Sequence, residues 1–243
     1  MKILIVRHGD PDYSIDSLTS QGHTEAKLLA DRLAKLNVKD FYVSPLGRAK
    51  HTAEYTLKKM GREAETLEWL KEFPTQIKRP DREGRPSIAW DWLPGDWCNE
   101  EKFYSHKDWT ETPVMKQAEI AKEYSRVTGE FDKLLLKHGY ERCGNYYNAV
   151  NANEDTIVLF CHFGLECVLL SHLLSISPMV LWQGFCAAPT SVTTIITEER
   201  EKGIAYFRVN AFGDTSHLYA AGEEPSFAAR FCETYDNFDQ RHN

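Results

Sequence analysis

Little in this 243-residue chain points to an exported or membrane-bound protein. Its 6 cysteines (Cys98, Cys143, Cys161, Cys167, Cys186 and Cys232) are scattered without a CxxC pair. Neither a disulfide framework nor a zinc ribbon is expected, and reduced thiols in a cytoplasmic protein fit best. No apolar run approaches membrane-spanning length, and the short stretch before Arg7 cannot form the apolar core of a signal peptide. Gly/Ser-rich and Pro-rich tracts are missing, so no linker divides the chain and a single domain over 1–243 is expected. Positive charge is also scarce: 29 Lys and Arg against 36 Asp and Glu leave a net charge of −7, which argues against a nucleic-acid-binding face. With no GxxxxGK[ST] there is no nucleotide P-loop either.

What is present reads as alternating strands and helices. Lys2 to Val6 is a continuous apolar run, the pattern of a strand buried on both faces. From Thr19, with Thr19 or Ser20 as cap, Ala26, Leu29, Ala30, Leu33 and Leu36 recur at helical spacing. Phe41 to Ser44 forms a second strand, and Leu46 to Met60 a second helix that stops at Gly61. Thr156 to Cys161 is the strongest strand signal, followed by an apolar helix from about Gly164 to Leu174. Ser191–Thr197 and Ile204–Val209 read as a hairpin or a pair of adjacent strands near the end of the sheet. The pattern predicts an α/β fold, three layers αβα around a mostly parallel sheet. It is interrupted at about 73–150 by an inserted cap: first an irregular stretch holding Trp90, Trp92, Trp97 and Trp109, then a helix from about Ala118 to His138. The tryptophans are expected mainly to pack this cap onto the body.

Parallel sheets place ligands beyond the carboxyl ends of their strands. Arg7 and His8 follow the first strand, Arg48 enters the helix after the second, and His162 follows the TIVLFC strand. Guanidinium forks match phosphate oxygens bidentately, and a helix N-terminus beside Arg48 favours an anion. The crevice is therefore expected to hold an oxyanion. Cys161, His162 and His8 are zinc ligands by type, but no further ligand stands at regular spacing and the arginines repel a divalent cation; no metal and no cofactor are expected.

These segments resemble the histidine phosphatase superfamily, in the branch with the cofactor-dependent phosphoglycerate mutases and fructose-2,6-bisphosphatases. Arg7-His8-Gly9 matches its signature, Leu18-Thr19 to Gly22 its LTxxG helix start, Ser44-Pro45-Leu46-Gly47-Arg48-Ala49 to Thr52-Ala53 its SPLxRAxxTA segment, and Leu70-Lys71-Glu72 its LxE motif. Cys161-His162-Phe163-Gly164 is similar to the second histidine segment, with Phe163 where a glycine is usual. The resemblance implies that His8 is the nucleophile, that Arg7, Arg48 and His162 bind phosphoryl oxygens, and that Glu72 is the proton donor. Where the mutases have a phosphate-contacting asparagine, this chain has Tyr13-Ser14, which makes Ser14 a partial substitute.

The expected activity is metal-independent hydrolysis of a small phosphorylated metabolite through phosphohistidine. A phosphomutase is the second reading, and a non-catalytic phosphate-binding module the third. No nucleic-acid or membrane partner is expected, and the sequence says nothing of oligomeric state. Lys78, Arg79, Arg82 and Arg85 outnumber Asp81 and Glu83 in the cap, a candidate contact for a second anionic group of the substrate. Glu166 is the next candidate acid should Glu72 fail. His23, His51, His106, His138, His172, His217 and His242 are read as structural.

Overall fold

The computed structural model describes residues 1–82 and 85–226, together with the backbone of Glu233–Thr234 and Asn237–Arg241. Glu83, Cys232 and His242 lie outside the described residues. The central sheet pairs eight strands: β1 (Lys2–Arg7), β2 (Asp40–Val43), β3 (Glu65–Thr66), β4 (Tyr140–Cys143), β5 (Tyr146–Ala149), β6 (Thr156–Cys161), β7 (Val192–Glu201) and β8 (Ile204–Asp214). Their order is β3-β2-β6-β1-β7-β8-β5-β4. The strands β3, β2, β6 and β1 run parallel, and the other pairs are antiparallel. The helices that matter here are α1 (Ser20–Leu33), α2 (Gly47–Met60), α3 (Ile120–Lys137), α4 (Phe163–Leu174), α5 (Pro178–Gly184) and α6 (Ser216–Tyr219).

The unbroken apolar character of β1 has a direct cause. Ile3 and Ile5 enter one core, shared with α3, α4 and α5, while Leu4 and Val6 enter a second, shared with α1 and α2. Each such side chain contributes about 1.5–3 kcal/mol by leaving water. Helix α4 is buried around nearly its whole circumference, so its sequence is apolar without a polar stripe, and Glu166 is carried into the interior with it. Thr19 caps α1, accepting from the Gly22 N–H at 3.1 Å, and Gly61 closes α2 in a left-handed conformation (φ 63°).

Inside the interrupted stretch, Trp90 and Trp109 pack against Trp182 of α5 with ring centroids 6.0 and 5.7 Å apart, and Phe73 joins them at 5.8 Å. Residues 140–149, expected within the insertion, instead form the β4–β5 hairpin, which pairs with β8 through Ala205↔Tyr147 and extends the body's sheet. A Gly144-Asn145 turn, with Gly144 at φ 58°, was the signal in the sequence. It went unread because these edge strands mix Glu, Arg and Asn with their aromatics. Among the described residues no helix is long and apolar enough to cross a membrane.

Candidate active site

Strands β1 and β6 lie side by side in parallel, with Arg7 opposite Cys161, so the residues that follow them emerge together. The His8 N–H donates to the Cys161 carbonyl at 3.0 Å, and the His8 and His162 rings stand 5.1 Å apart. His8 Nδ1 is 2.8 Å from the Gly9 carbonyl. A carbonyl only accepts, so Nδ1 carries the proton and Nε2 of the neutral ring keeps its lone pair. The sequence cannot reveal that tautomer. The turn itself depends on close packing, because a methyl group at Gly22 would stand 2.3 Å from the Asp10 carbonyl oxygen. The signature glycine and the LTxxG glycine thus meet where two backbones cross. Thr52 completes the support, its hydroxyl accepting from the Gly9 N–H at 2.9 Å.

The two guanidiniums are held from different sides. Arg7 donates through Nη1 to the Ala187 carbonyl and lies 5.7 Å from the centre of the Phe163 ring. Arg48, in the first turn of α2, donates to Asp16 Oδ1 at 2.6 Å, while Asp16 Oδ2 accepts from the Gly47 N–H at 2.6 Å. Burial alone would raise the Asp16 pKa, but these bonds outweigh it and hold the carboxyl below its ordinary range. His162 stands at the N-terminal boundary of α4, with Nε2 2.7 Å from Ser44 Oγ. Both imidazoles are pushed well below the usual histidine pKa, first by burial and then by neighbouring positive charge: Arg7 and Arg48 for His8, the same arginines and His8 for His162. At neutral pH the cluster holds two permanent cations and two neutral rings. That combination binds an oxyanion and leaves a nucleophilic nitrogen free.

Glu72 follows the turn Glu68–Leu70 and reaches the N-terminus of α4, accepting from the Leu165 N–H at 2.9 Å and from its own neighbour Phe73 at 2.9 Å. Burial raises its pKa, only partly offset by these bonds and by the charges of Arg7 and Arg48. It can carry a proton to pH values where an exposed glutamate is ionised. Arg7, His8, Arg48, His162 and Glu72 therefore form one group. Ser14 does not join it: the side chain is exposed, and both its N–H and its hydroxyl donate to Asp12 Oδ1, at 2.9 and 2.5 Å. From that loop it is the Tyr13 ring that meets Arg48, at 5.4 Å.

The sequence matches the profile of the histidine phosphatase superfamily (branch 1) over residues 3–210. The chain belongs to that superfamily. It is 25% identical over 232 residues to a probable phosphatase of Schizosaccharomyces pombe, covering 90% of this chain and 95% of that protein. In fold it is similar to a phosphoserine phosphatase from Entamoeba histolytica in complex with 3-phosphoglyceric acid, with a TM-score of 0.59, 24% identity, and coverage of 89% and 98% of the two chains. It also resembles a mycobacterial glucosyl-3-phosphoglycerate phosphatase in complex with inorganic phosphate, with a TM-score of 0.58, 19% identity, and coverage of 89% and 98%.

Several supporting residues in this member of the superfamily have no signal in the sequence that marks their role. Ser44 was visible as the first letter of the SPLxRA segment, but nothing linear ties it to His162. Residues 187–190 carry no signal in the sequence, yet the carbonyls of Ala187 and of Ser191 just beyond them hold Arg7, and the Thr190 N–H holds the His8 carbonyl. The basic loop of the cap is largely self-neutralised: buried Arg79 pairs with Asp81 at 2.5 Å and Asp91 at 2.8 Å, and Arg82 with Asp91 at 3.4 Å, which leaves Lys78 and Arg85 exposed. Histidines 23, 51, 106, 138 and 172 are each engaged with a tyrosine, serine, carbonyl or aspartate of their own. His217 is not so isolated, since it contacts Thr190.

Proposed function

We propose that this chain is a phosphatase that hydrolyses a small phosphomonoester through a phosphohistidine on His8, without a metal ion. The observation that carries the proposal is the Nδ1–H bond from His8 to the Gly9 carbonyl, which aims an unprotonated Nε2 away from the backbone and into the arginine-lined cluster. Likeness to a probable phosphatase and to phosphatases of phosphorylated metabolites supports hydrolysis of a compound of that kind.

Arg7, Arg48 and His162 bind the phosphoryl oxygens. The charge of the two arginines neutralises what develops in the transition state, where phosphoryl transfer demands positioning more than covalent help. His8 Nε2 attacks phosphorus as the bond to the ester oxygen breaks, and the Glu72 carboxyl gives its proton to the departing alkoxide. Water then attacks the phosphohistidine. The P–N bond breaks, phosphate forms, and the proton lost by the water returns to Glu72. The cycle consumes one ester and one water and leaves the enzyme unchanged.

The test is turnover of p-nitrophenyl phosphate in EDTA together with trapping of labelled phosphate on the protein. Expected are activity indifferent to the chelator and a label that is stable in base, labile in acid, and absent from His8→Ala. An active His8→Ala protein, or activity lost in EDTA and restored by magnesium or zinc, overturns the reading. A panel of phosphorylated metabolites then ranks substrates.

A further inference from the structure

Thr190 has a backbone that its side chain disfavours. Its φ is 58°, in the left-handed region, where a β-branched residue is a genuine outlier. Such a conformation is costly and persists only where surrounding contacts over-determine it. Thr190 is fully buried, and its N–H donates to the His8 carbonyl at 3.1 Å.

The contact that holds it comes from α6. Thr190 Oγ1 lies 2.7 Å from the Pro189 carbonyl and 3.1 Å from His217 Nε2. The hydroxyl has one proton, and the carbonyl can only accept it. Oγ1 must therefore accept from His217, which places the His217 proton on Nε2. Among the described residues His217 Nδ1 is buried without a hydrogen-bond partner, as suits a bare lone pair and not an N–H, so the ring is neutral. Burial first, and then the charge of Arg32, push its pKa down to about 4 against the opposing pull of Asp214. The donor therefore keeps one form across the physiological range. His217 also lies beyond residues 3–210, the span of the family match.

We propose that His217 is a positioning residue for His8, acting through Thr190: the Nε2–H of His217 pins the Thr190 hydroxyl, and the strained backbone so held offers its N–H to the His8 carbonyl. The inference rests on the reading of His8 as nucleophile. Displacing a reacting atom by a fraction of an ångström lowers a rate while leaving distant phosphate contacts in place.

The experiment compares wild type with His217→Phe, His217→Gln and Thr190→Val, the last keeping the shape and removing the accepting oxygen. Two readouts are taken: the burst rate of phosphohistidine formation with p-nitrophenyl phosphate beside the inhibition constant of inorganic phosphate, and the imidazole nitrogen NMR signals of His8 without substrate. In His217→Phe and Thr190→Val the burst is expected to slow by about tenfold or more while the phosphate constant moves less than about twofold. In both variants the His8 signals shift, and His217→Gln, which restores a donor, recovers rate and signals. Thr190→Val decides the matter if His217→Phe does not fold. An unchanged burst and unchanged His8 signals in a folded variant overturn the inference, as does an equal loss of rate and phosphate affinity without rescue by Gln. Shifted His8 signals in the two variants, with a wild type that forms no phosphohistidine, would sink the proposed function and leave the positioning role standing.

Discussion

Gly164 gives Glu72 its seat: a methyl group at residue 164 would stand 2.8 Å from Glu72 Oε1 and 2.8 Å from the Trp90 ring. Helix α4, the cap tryptophan and the candidate acid thus meet at a point with room for no side chain. Gly164→Ala must push the carboxyl or the indole aside, at a cost of roughly 1–3 kcal/mol of stability by overpacking. The expected result is a fall of about tenfold in kcat on an alkyl phosphate, with a smaller fall in the burst on an aryl phosphate. Chemical denaturation and parallel kinetics check it; an alanine variant with wild-type alkyl turnover would show that Glu72 is not held through residue 164.

Glu72→Gln separates the two halves of the proposed cycle. Nitrophenolate leaves without help, so the variant is expected to keep a fast aryl burst and then turn over slowly, because no carboxylate remains to accept the proton from water. An alkyl phosphate should show a slowed burst as well, by the 10²–10⁴-fold or so typical of a lost general acid. Equal slowing of both bursts removes Glu72 from the role and turns attention to Glu166.

Glu166 is predicted to lower stability as pH rises. It is fully inside the core, and burial raises its carboxyl pKa from 4.5 to about 7, against a hydrogen bond from Thr193 and the charge of Arg7, with Glu72 adding to the rise. A folded-state pKa above the unfolded one means that the native state holds the proton more tightly. The favourable contribution is complete below 4.5 and is lost as pH climbs through about 7. Replacing the carboxyl with an amide removes this loss. The unfolding free energy of Glu166→Gln relative to wild type is therefore expected to be higher at pH 8 than at pH 4 by up to about 3 kcal/mol. Urea titrations at the two pH values measure it, and an equal difference at both refutes it.

Arg48→Lys keeps the charge but removes the fork, and with it the geometry shared with Asp16. The expected effect is a fall in kcat/KM of roughly tenfold to a hundredfold, the scale of a lost charge-assisted bidentate contact. Because burial is the first cause of the low His8 pKa and positive charge near the ring survives the substitution, the acid limb of the pH profile should remain well below 6.5, the ordinary histidine value. A limb that rises toward 6.5 would mean that the guanidinium acts on His8 by more than its charge.

Ser14→Ala should leave kcat and KM within about twofold of wild type, as expected for an exposed side chain bonded to Asp12. A larger change in KM would return Ser14 to the phosphate site.

Local chemistry determined much of this protein before any fold was known. The apolar runs of β1 and β6 announce strands buried on both faces because every side chain in them must leave water. The residues just past them, Arg7, His8 and His162, are legible as a candidate site because parallel strands end on the same side. Arg48 is legible in the same linear way from its place at the start of the helix after the second strand, and Glu72 from the family's LxE motif. Tertiary structure alone decided which supports surround them. Ser44 meets His162 across 118 residues, Thr52 holds Gly9 across 43, and His217 reaches the His8 loop through Thr190. Hydrogen bonds between such distant residues leave no periodicity in the chain. The same is true of Arg79, whose charge looked available until Asp81 and Asp91 folded against it, and of Ser14, drawn to Asp12 instead of the phosphate site. Periodicity and strand-end position are properties of neighbouring residues, and the sequence determines them by itself. The pairing of a buried polar group with its partner depends on where the rest of the chain comes to lie, because burial leaves that group no water to bond and only the folded neighbours can satisfy it.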